Sequence, residues 1–300
     1  MLINNNTLKN VRICFIFTKQ SNYIMENKTK HALVTGGTSG VGLSIVKELV
    51  AHNYKVSFIG SNTTKGKAVE TLLKQNSSLN HDFIQLDLGE LSEVKTFTTQ
   101  FINNNTSLDL LVNVAGIMSP QQQFTTSGQD KTFAIGYLSA FLLSTELFPL
   151  LEKGNNPRIV NVGGQASQVL KPILNFDNLD FKTNYSGFKT AITTVHAKTV
   201  LTQLLAEKLI DKNIDVNSFH PGIVKSDLSR NMPTGIKFLA KLARPFMAKT
   251  SKNGIFVCLD DSITGLSGKL FVNKKPTTLQ FDFDYREKLW EVSTTLTNSI

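Results

Sequence analysis

Thr35-Gly-Gly-Thr-Ser-Gly-Val-Gly42, TGGTSGVG, is the stretch on which the fold turns. Before it stands a short apolar run, His31–Thr35. After it Leu43, Val46, Leu49 and Val50 recur at the spacing of one helix face. The three pieces read as a strand, a tight turn and a helix. Gly36, Gly40 and Gly42 give the turn the spacing G-x-x-x-G-x-G. Glycines there let the backbone approach an anion at the helix N-terminus, where free N–H groups and the macrodipole favour negative charge. A plain strand–helix corner has the same look, so the rest of the chain must decide.

Outward from that turn the alternation repeats. Lys55–Ile59 is predicted as a second strand, with a helix over Lys65–Lys74. Phe83–Leu86 and Leu108–Val114 are two more strands, separated by a helix carrying Val94, Phe97 and Phe101. A long apolar helix over Thr132–Leu151 leads to the strand Arg158–Val162 (RIVNV). A further helix over Ala191–Leu209 leads to Asp215–Phe219, and Lys269–Val272 is the seventh strand. Strands alternating with helices of this length imply a parallel sheet covered on both faces. No repeat or clear linker interrupts the pattern, so residues 30–300 are expected to form a single α/β domain.

Composition is compatible with that. At 300 residues, 41% hydrophobic and 18% charged, the chain can bury a full core. No apolar run is long enough for a transmembrane helix, which needs about 18 residues. Cys14 and Cys258 are too few and too far apart for a disulfide framework or a metal site, so a reducing compartment is the simpler expectation. The net charge of +9 is spread along the chain and reads as a solvated basic surface, compatible with an anionic ligand such as a phosphorylated cofactor. Nothing resembles a nucleic-acid-binding module. Residues 1–29 read as an N-terminal extension. The first 24 carry Lys9, Arg12 and Lys19, no acidic residue, and a short apolar run, Ile13–Phe17. That resembles a transit peptide, whereas the alternative start at Met25 leads straight into the first strand.

Three later strand ends strengthen the anion-binding view of the glycine turn. Asp87 ends the third strand in LDL, where its carboxylate could accept from an adenine amino group. Asn113-Val-Ala-Gly116 ends the fourth with small residues, and His220-Pro-Gly-Ile-Val-Lys-Ser-Asp227 follows the sixth. With these in place the chain resembles the short-chain dehydrogenase/reductase family, in its retinol-dehydrogenase-like branch. The likeness runs from about Lys30 to the tail motifs Gly268-Lys-Leu-Phe and Lys288-Leu-Trp-Glu-Val-Ser293. It implies a Rossmann-type, doubly wound domain with a parallel seven-stranded sheet. It also implies an NAD(P) site built from Gly36, Thr38, Ser39, Gly40, Val41, Gly42, Ser61, Asp87, Leu88, Asn113, Ala115, Gly116, Pro221, Gly222, Val224 and Ser226.

The second strand ends Phe58-Ile-Gly-Ser-Asn62. NAD-preferring members resembling this chain carry an acidic residue near Gly60, and there is none here. The arginine that NADP-preferring members often have at the Ser61 position is missing too. With Lys65 and Lys67 nearby, NADP is the expected choice.

Hydride transfer is the cofactor's chemistry, and the protein must position a carbonyl and move a proton. In the family a Tyr acts as acid/base, a Lys four residues on lowers its pKa, a Ser polarises the substrate oxygen, and an Asn completes the relay. The Ser belongs at the end of RIVNV, where Gly163 and Gly164 stand; Ser167 follows three residues on. The Asn position in the preceding helix is Gly136. A literal Y-x-x-x-K exists at Tyr185–Lys189, but the helix pattern Leu201-Thr202, Leu205-Ala206, Leu209 puts Ala191 at the Tyr position and Val195 at the Lys position. An insertion inside a helix would rotate everything after it by about 100°, and Gly187 argues against an extra turn before Ala191. The fallback residues are Ser167, Tyr185, Lys189 and Lys198, the last one turn beyond Val195.

The leading expectation is therefore a catalytically silent NAD(P)-binding protein. An active NADP-dependent oxidoreductase on an apolar alcohol or carbonyl, with a rearranged catalytic set, is the alternative. A structural relic that binds nothing is the third. Phe181, Phe238, Leu239 and Phe246 flank the substrate cleft in similar proteins and suggest a small apolar ligand. A protein partner or homo-oligomer is left open. The expected compartment is the cytoplasm, or the mitochondrion should the extension be a genuine leader.

Overall fold

The structure is a computed structural model that describes residues 29–224 and 247–299. Seven strands run parallel: β1 (His31–Thr35), β2 (Lys55–Gly60), β3 (Asp82–Gln85), β4 (Leu110–Asn113), β5 (Arg158–Val162), β6 (Asp215–Phe219) and β7 (Lys269–Val272). With an edge strand β8 (Lys275–Thr278), the sheet order is β3-β2-β1-β4-β5-β6-β7-β8, so the chain reverses direction of growth between β1 and β4. In open sheets of this kind the crevice beyond the strand ends at such a switch point is where ligands bind.

An eighth strand, β8 (Lys275–Thr278), corrects the expected count of seven. It pairs antiparallel with β7 across Asn273 and Lys274, whose φ values of 51° and 64° make a tight two-residue hairpin. Its sequence, KPTT, has no apolar periodicity. Its proline opposes Phe271 at the sheet edge, where a missing donor is tolerated.

Side chains alternate across the strands and feed two cores. Leu33, Ile59, Leu111, Ile159, Val216 and Leu270 face one side, against α3 (Leu91–Asn104), α5 (Ser139–Glu146), α8 (Gly187–Lys208) and α10 (Phe283–Asn298). Ala32, Val34, Val56, Phe58, Leu110, Val112 and Val160 face the other, against α1 (Gly40–Ala51), α2 (Thr63–Asn76) and α9 (Lys252–Leu259). The central strands are apolar on both faces because both are covered, as parallel sheets require.

Two helices depart from expectation next to the strand ends. The helix anticipated over Thr132–Leu151 is interrupted: α4 (Lys131–Phe133) passes into a π-helical turn, Ala134–Leu138, before α5, and α6 (Phe148–Leu151) restarts after Leu147. Gly136 lies inside the π turn. Helix α8 begins at Gly187, a turn before the anticipated Ala191, so the extra turn argued against does form. The reason is close approach: a Cβ at Gly187 would lie 1.8 Å from the Ser119 carbonyl oxygen. Here glycine admits the Ser119–Pro120 loop backbone; it does not loosen the helix.

Of the anticipated extension over residues 1–29, only Thr29 is among the described residues. Phe238, Leu239 and Phe246 lie outside them as well. Phe181 is described, and its ring packs tilted against Phe133 at 5.4 Å between ring centroids. Among the described residues no helix is long and apolar enough to cross a membrane.

Candidate functional site

A cleft of about 370 Å³ opens over the C-terminal ends of β1, β2, β4 and β5. Its floor is the glycine turn. Gly36 takes φ +67° and Gly42 packs so closely that a Cβ there would lie 2.3 Å from the Gly36 carbonyl oxygen. The Ser39 side chain makes no capping bond at the start of α1, so the first amides of that helix are left for an anion. The Thr35 hydroxyl accepts from the amides of Val114 and Ala115, both at 3.0 Å, which ties the end of β4 to the end of β1.

Gly36, Thr38, Ser39, Gly40, Val41, Gly42, Ser61, Asp87, Leu88, Ala115, Gly116, Pro221, Gly222 and Val224 all line this one cleft. Asn113 does not. It is buried, donating to Ser144 at 3.1 Å and to Asn161 at 3.0 Å, and Asn161 in turn donates to Thr202. That network ties β4 and β5 to α5 and α8, so Asn113 braces the sheet beneath the cleft. Ser226 lies outside the described residues. Asp87 accepts from the Gly89 amide at 2.9 Å and pairs with Lys131 at 3.0 Å; a carboxylate with four lone-pair sites keeps room for another donor.

At the end of β2, Gly60, Ser61, Asn62 and Lys65 line the cleft. A Cβ at Gly60 would lie 2.6 Å from Thr38, so an acidic side chain at that position would collide with the glycine turn. Lys67 points elsewhere, paired with Glu70 at 3.0 Å.

Gly136, Gly163, Ala191, Thr194, Val195 and Lys198 line the other end of the cleft, beside Ile117, Met118 and Ile135. Small and branched apolar groups have closed ranks there. A Cβ at Gly136 would meet the Thr194 methyl at 2.3 Å, and one at Gly164 would meet Val169 at 2.4 Å and Val195 at 3.3 Å. The fallback residues fare unequally. Ser167 is exposed, on the short helix α7 (Ala166–Val169), away from the lining. Tyr185 donates its hydroxyl to the Ser119 carbonyl at 2.8 Å, and burial raises its pKa. Lys189 is exposed in the first turn of α8. Tyr185 precedes that helix and latches onto Ser119, and neither Tyr185 nor Lys189 is among the residues that line the cleft.

Lys198 is different. It is only 1% exposed, and its ammonium donates to the Ala115 carbonyl at 3.2 Å at the cleft floor. Burial alone lowers its pKa to about 7. Helical side chains lean towards the N-terminus, so a lysine one turn late still reaches the cleft.

The family model described as short chain dehydrogenase matches residues 30–237. The chain belongs to the short-chain dehydrogenase family. Within it the chain is retinol-dehydrogenase-like. It is 29% identical over 285 residues to short-chain dehydrogenase TIC 32 B, chloroplastic, of Brassica napus, covering 90% of this chain and 89% of that one. It is 27% identical to human polyprenol dehydrogenase (89% and 84% covered) and 27% identical to human retinol dehydrogenase 12 (88% and 85%). Among solved structures, an uncharacterized protein from Mycobacterium Paratuberculosis superposes with a TM-score of 0.68 at 21% identity, over 90% of this chain and 93% of that one. RhlG from Pseudomonas aeruginosa, solved with NADP, gives 0.58 at 20% identity over 81% and 93%. These structures share the fold.

As a short-chain dehydrogenase the chain has an NAD(P)-binding oxidoreductase fold, and the cleft's chemistry fits a dinucleotide: uncapped amides, a glycine cradle and a carboxylate at the third strand's end. Sequence reasoning overlooked Ile117, Met118, Ile135, Val162 and Thr194, which also line it. Thr194 had a signal, since it lies one turn from both Ala191 and Lys198 on α8.

Proposed function

We propose that this protein binds a nicotinamide dinucleotide, NADP(H) by preference, and has given up the proton chemistry of its family. The observation that carries this is the apolar closure around Gly136, Gly164, Ala191 and Val195. The methyls of Thr194 and Val169 stand where side chains from Gly136 and Gly164 would have to go. Bound NADP(H) supplies or accepts hydride, and a carbonyl substrate then needs a proton at its oxygen. Gly36 to Gly42 would hold the pyrophosphate, Asp87 and Leu88 the adenine, and Val114 to Gly116 with Pro221 to Val224 the nicotinamide half. Losing a general acid alone costs about 10²–10⁴ in rate, and the Tyr185 hydroxyl is committed to Ser119. Absence of an acid at Gly60, with Lys65 at the cleft, supports NADP over NAD. Ile117, Met118, Ile135 and Val195 support a small apolar ligand beside the cofactor, in keeping with relatives named for polyprenol and retinol. We place the protein in the cytoplasm, with a mitochondrial location as the alternative offered by the acid-free first 24 residues.

A second reading, an active oxidoreductase with a rearranged set, has one observation in its favour: Lys198 reaches the cleft. Two measurements separate them. Saturating NADPH should raise the melting temperature by several degrees, since a ligand at a hundred times its Kd stabilises the native state by about 2.7 kcal/mol. No shift with NADPH or NADH would sink both readings. A panel of retinoids, polyprenols, steroids and small carbonyls should give no NAD(P)H oxidation above a blank. Turnover lost in Tyr185→Phe would overturn the silent reading.

A further inference from the structure

Lys198 is fully buried and, among the described residues, has no carboxylate partner. Its only hydrogen bond among the described residues is to the Ala115 carbonyl at 3.2 Å, which leaves two of its three ammonium donors without a protein acceptor there. Among the described residues the nearby titratable groups are engaged elsewhere. Tyr137 pairs with Ser293, and His196 lies between the Val169 carbonyl and Tyr285. Asp130 caps α4, Lys131 pairs with Asp87, and Arg286 with Glu207. Arg158 donates to the carbonyls of Val257 and Cys258, Asp215 accepts from Gly265, and Lys269 donates to Thr278. Lys65 lines the rim at the end of β2, and His220 directly precedes the Pro221 turn; neither belongs to the floor beneath Ala115.

The lysine is nonetheless held in place. The Asn113–Asn161–Thr202 chain ends at the Lys198 backbone carbonyl, which the Thr202 hydroxyl donates to at 2.9 Å. A buried network thus fixes the Lys198 backbone, and the ammonium it carries lies against the cleft with spare donors. Its ligand must bring oxygen acceptors, and a dinucleotide's ribose hydroxyls and pyrophosphate are rich in them.

We propose that Lys198 makes dinucleotide binding proton-linked: the cleft binds its ligand with Lys198 as the ammonium, and takes up a proton when the free protein holds it as the amine. This rests on the cofactor-binding reading above and adds a regulation to it. Burial places the free lysine's titration at about 7, inside the physiological range. Below that the ammonium is present before binding, and pH has no effect. Above it each bound molecule must bring a proton, and affinity falls by up to about tenfold per pH unit.

The test uses NADH, because NADPH carries a phosphomonoester that itself titrates near pH 6. Burial lowers the pKa of His220, away from the range used. NADH affinity of the full chain is measured from pH 6.5 to 8.5, by calorimetry in two buffers of different ionisation heat so that proton uptake is read directly. The wild type should bind about tenfold more weakly at pH 8.5 than at pH 7, with uptake approaching one proton. Lys198→Met should lose both the slope and the uptake. Flat wild-type affinity with no proton uptake overturns the proposal while leaving cofactor binding intact. A slope kept in Lys198→Met also overturns it. Wild type that binds neither NADH nor NADPH at any pH overturns the cofactor reading itself. Should Lys198→Met fail to fold, the wild-type uptake alone decides.

Discussion

Gly136 and Gly164 are where the cleft's chemistry is decided, and each is held small by close neighbours, Thr194 for the first and Val169 with Val195 for the second. Gly inside a helix costs about 1 kcal/mol relative to Ala, so position 136 is not serving helix stability. The Thr194 methyl, 2.3 Å from where a Cβ would stand, shows what does: a side chain of α8 fills the space. The loss and the filling are coupled, and contacting residues do not mutate additively. Gly136→Asn alone should destabilise the fold by about 1–3 kcal/mol through overpacking. Gly136→Asn with Thr194→Ser, which removes the obstructing methyl, should recover at least half of that. A urea-unfolding series on the two single variants and the double variant checks it. Equal destabilisation in Gly136→Asn and the double variant would mean that Thr194 is not the obstacle.

Elements were legible where one period ran long enough. The seven parallel strands and their alternation could be read because each is a compact apolar run between turn residues. Most of what escaped was set by contacts between distant segments. The π turn at Ala134–Leu138 answers to α8 and the early start of α8 to Ser119, while β8 follows from a local two-residue hairpin that carries no apolar signal. The glycine turn and most cofactor positions were likewise visible, since local backbone geometry demands glycine there. That Asn113 faces inward, or that Lys198 faces the cleft, depends on contacts with segments far away in the chain. The first turn of α8 shows the difference in energy terms. Tyr185 and Gly187 both grip the Ser119 carbonyl, one by hydrogen bond and one by close approach. Tyr185→Phe should cost about 1 kcal/mol, the worth of one hydrogen bond, and leave cofactor affinity unchanged. Gly187→Ala should cost about 1–3 kcal/mol and increase amide exchange in the first turn of α8. Unfolding curves and hydrogen exchange read both, and a Gly187→Ala protein as stable as the wild type would show that α8 can withdraw from Ser119.

At the scale of the whole molecule, histidines buried as neutral rings tie stability to acid. His196 is fully buried. Its Nδ1 faces the Val169 carbonyl, which can only accept, so Nδ1 carries the proton and Nε2 accepts from the Tyr285 hydroxyl at 2.8 Å. That hydroxyl already accepts the amides of Ile173 and Leu174, at 3.1 and 2.9 Å. One neutral ring thus joins α8, the 170–174 segment and α10, and a second proton would set donor against donor. Burial lowers its pKa to about 4. His31 at the start of β1 is lowered to about 4 as well, by burial and the nearby Lys55. Burial lowers His81 and His220 in the same sense. The unfolded chain protonates these rings near 6.5 and the native state does not, so the unfolded state binds more protons as pH falls below 6.5. Stability is therefore lost through that window and levels off below about 4. Asp130 and Asp215, whose pKa values burial raises, act in the opposite sense, gaining stability as they protonate above the ordinary carboxylate value. Two histidines give a limiting slope of about 2.7 kcal/mol per pH unit. Stability measured in urea between about pH 6.5 and 4.5 should approach that slope. His196→Gln cannot titrate, and should lose about one proton's worth of it. A slope unchanged in His196→Gln would place the proton uptake on other groups and leave the clamp between α8 and α10 insensitive to acid.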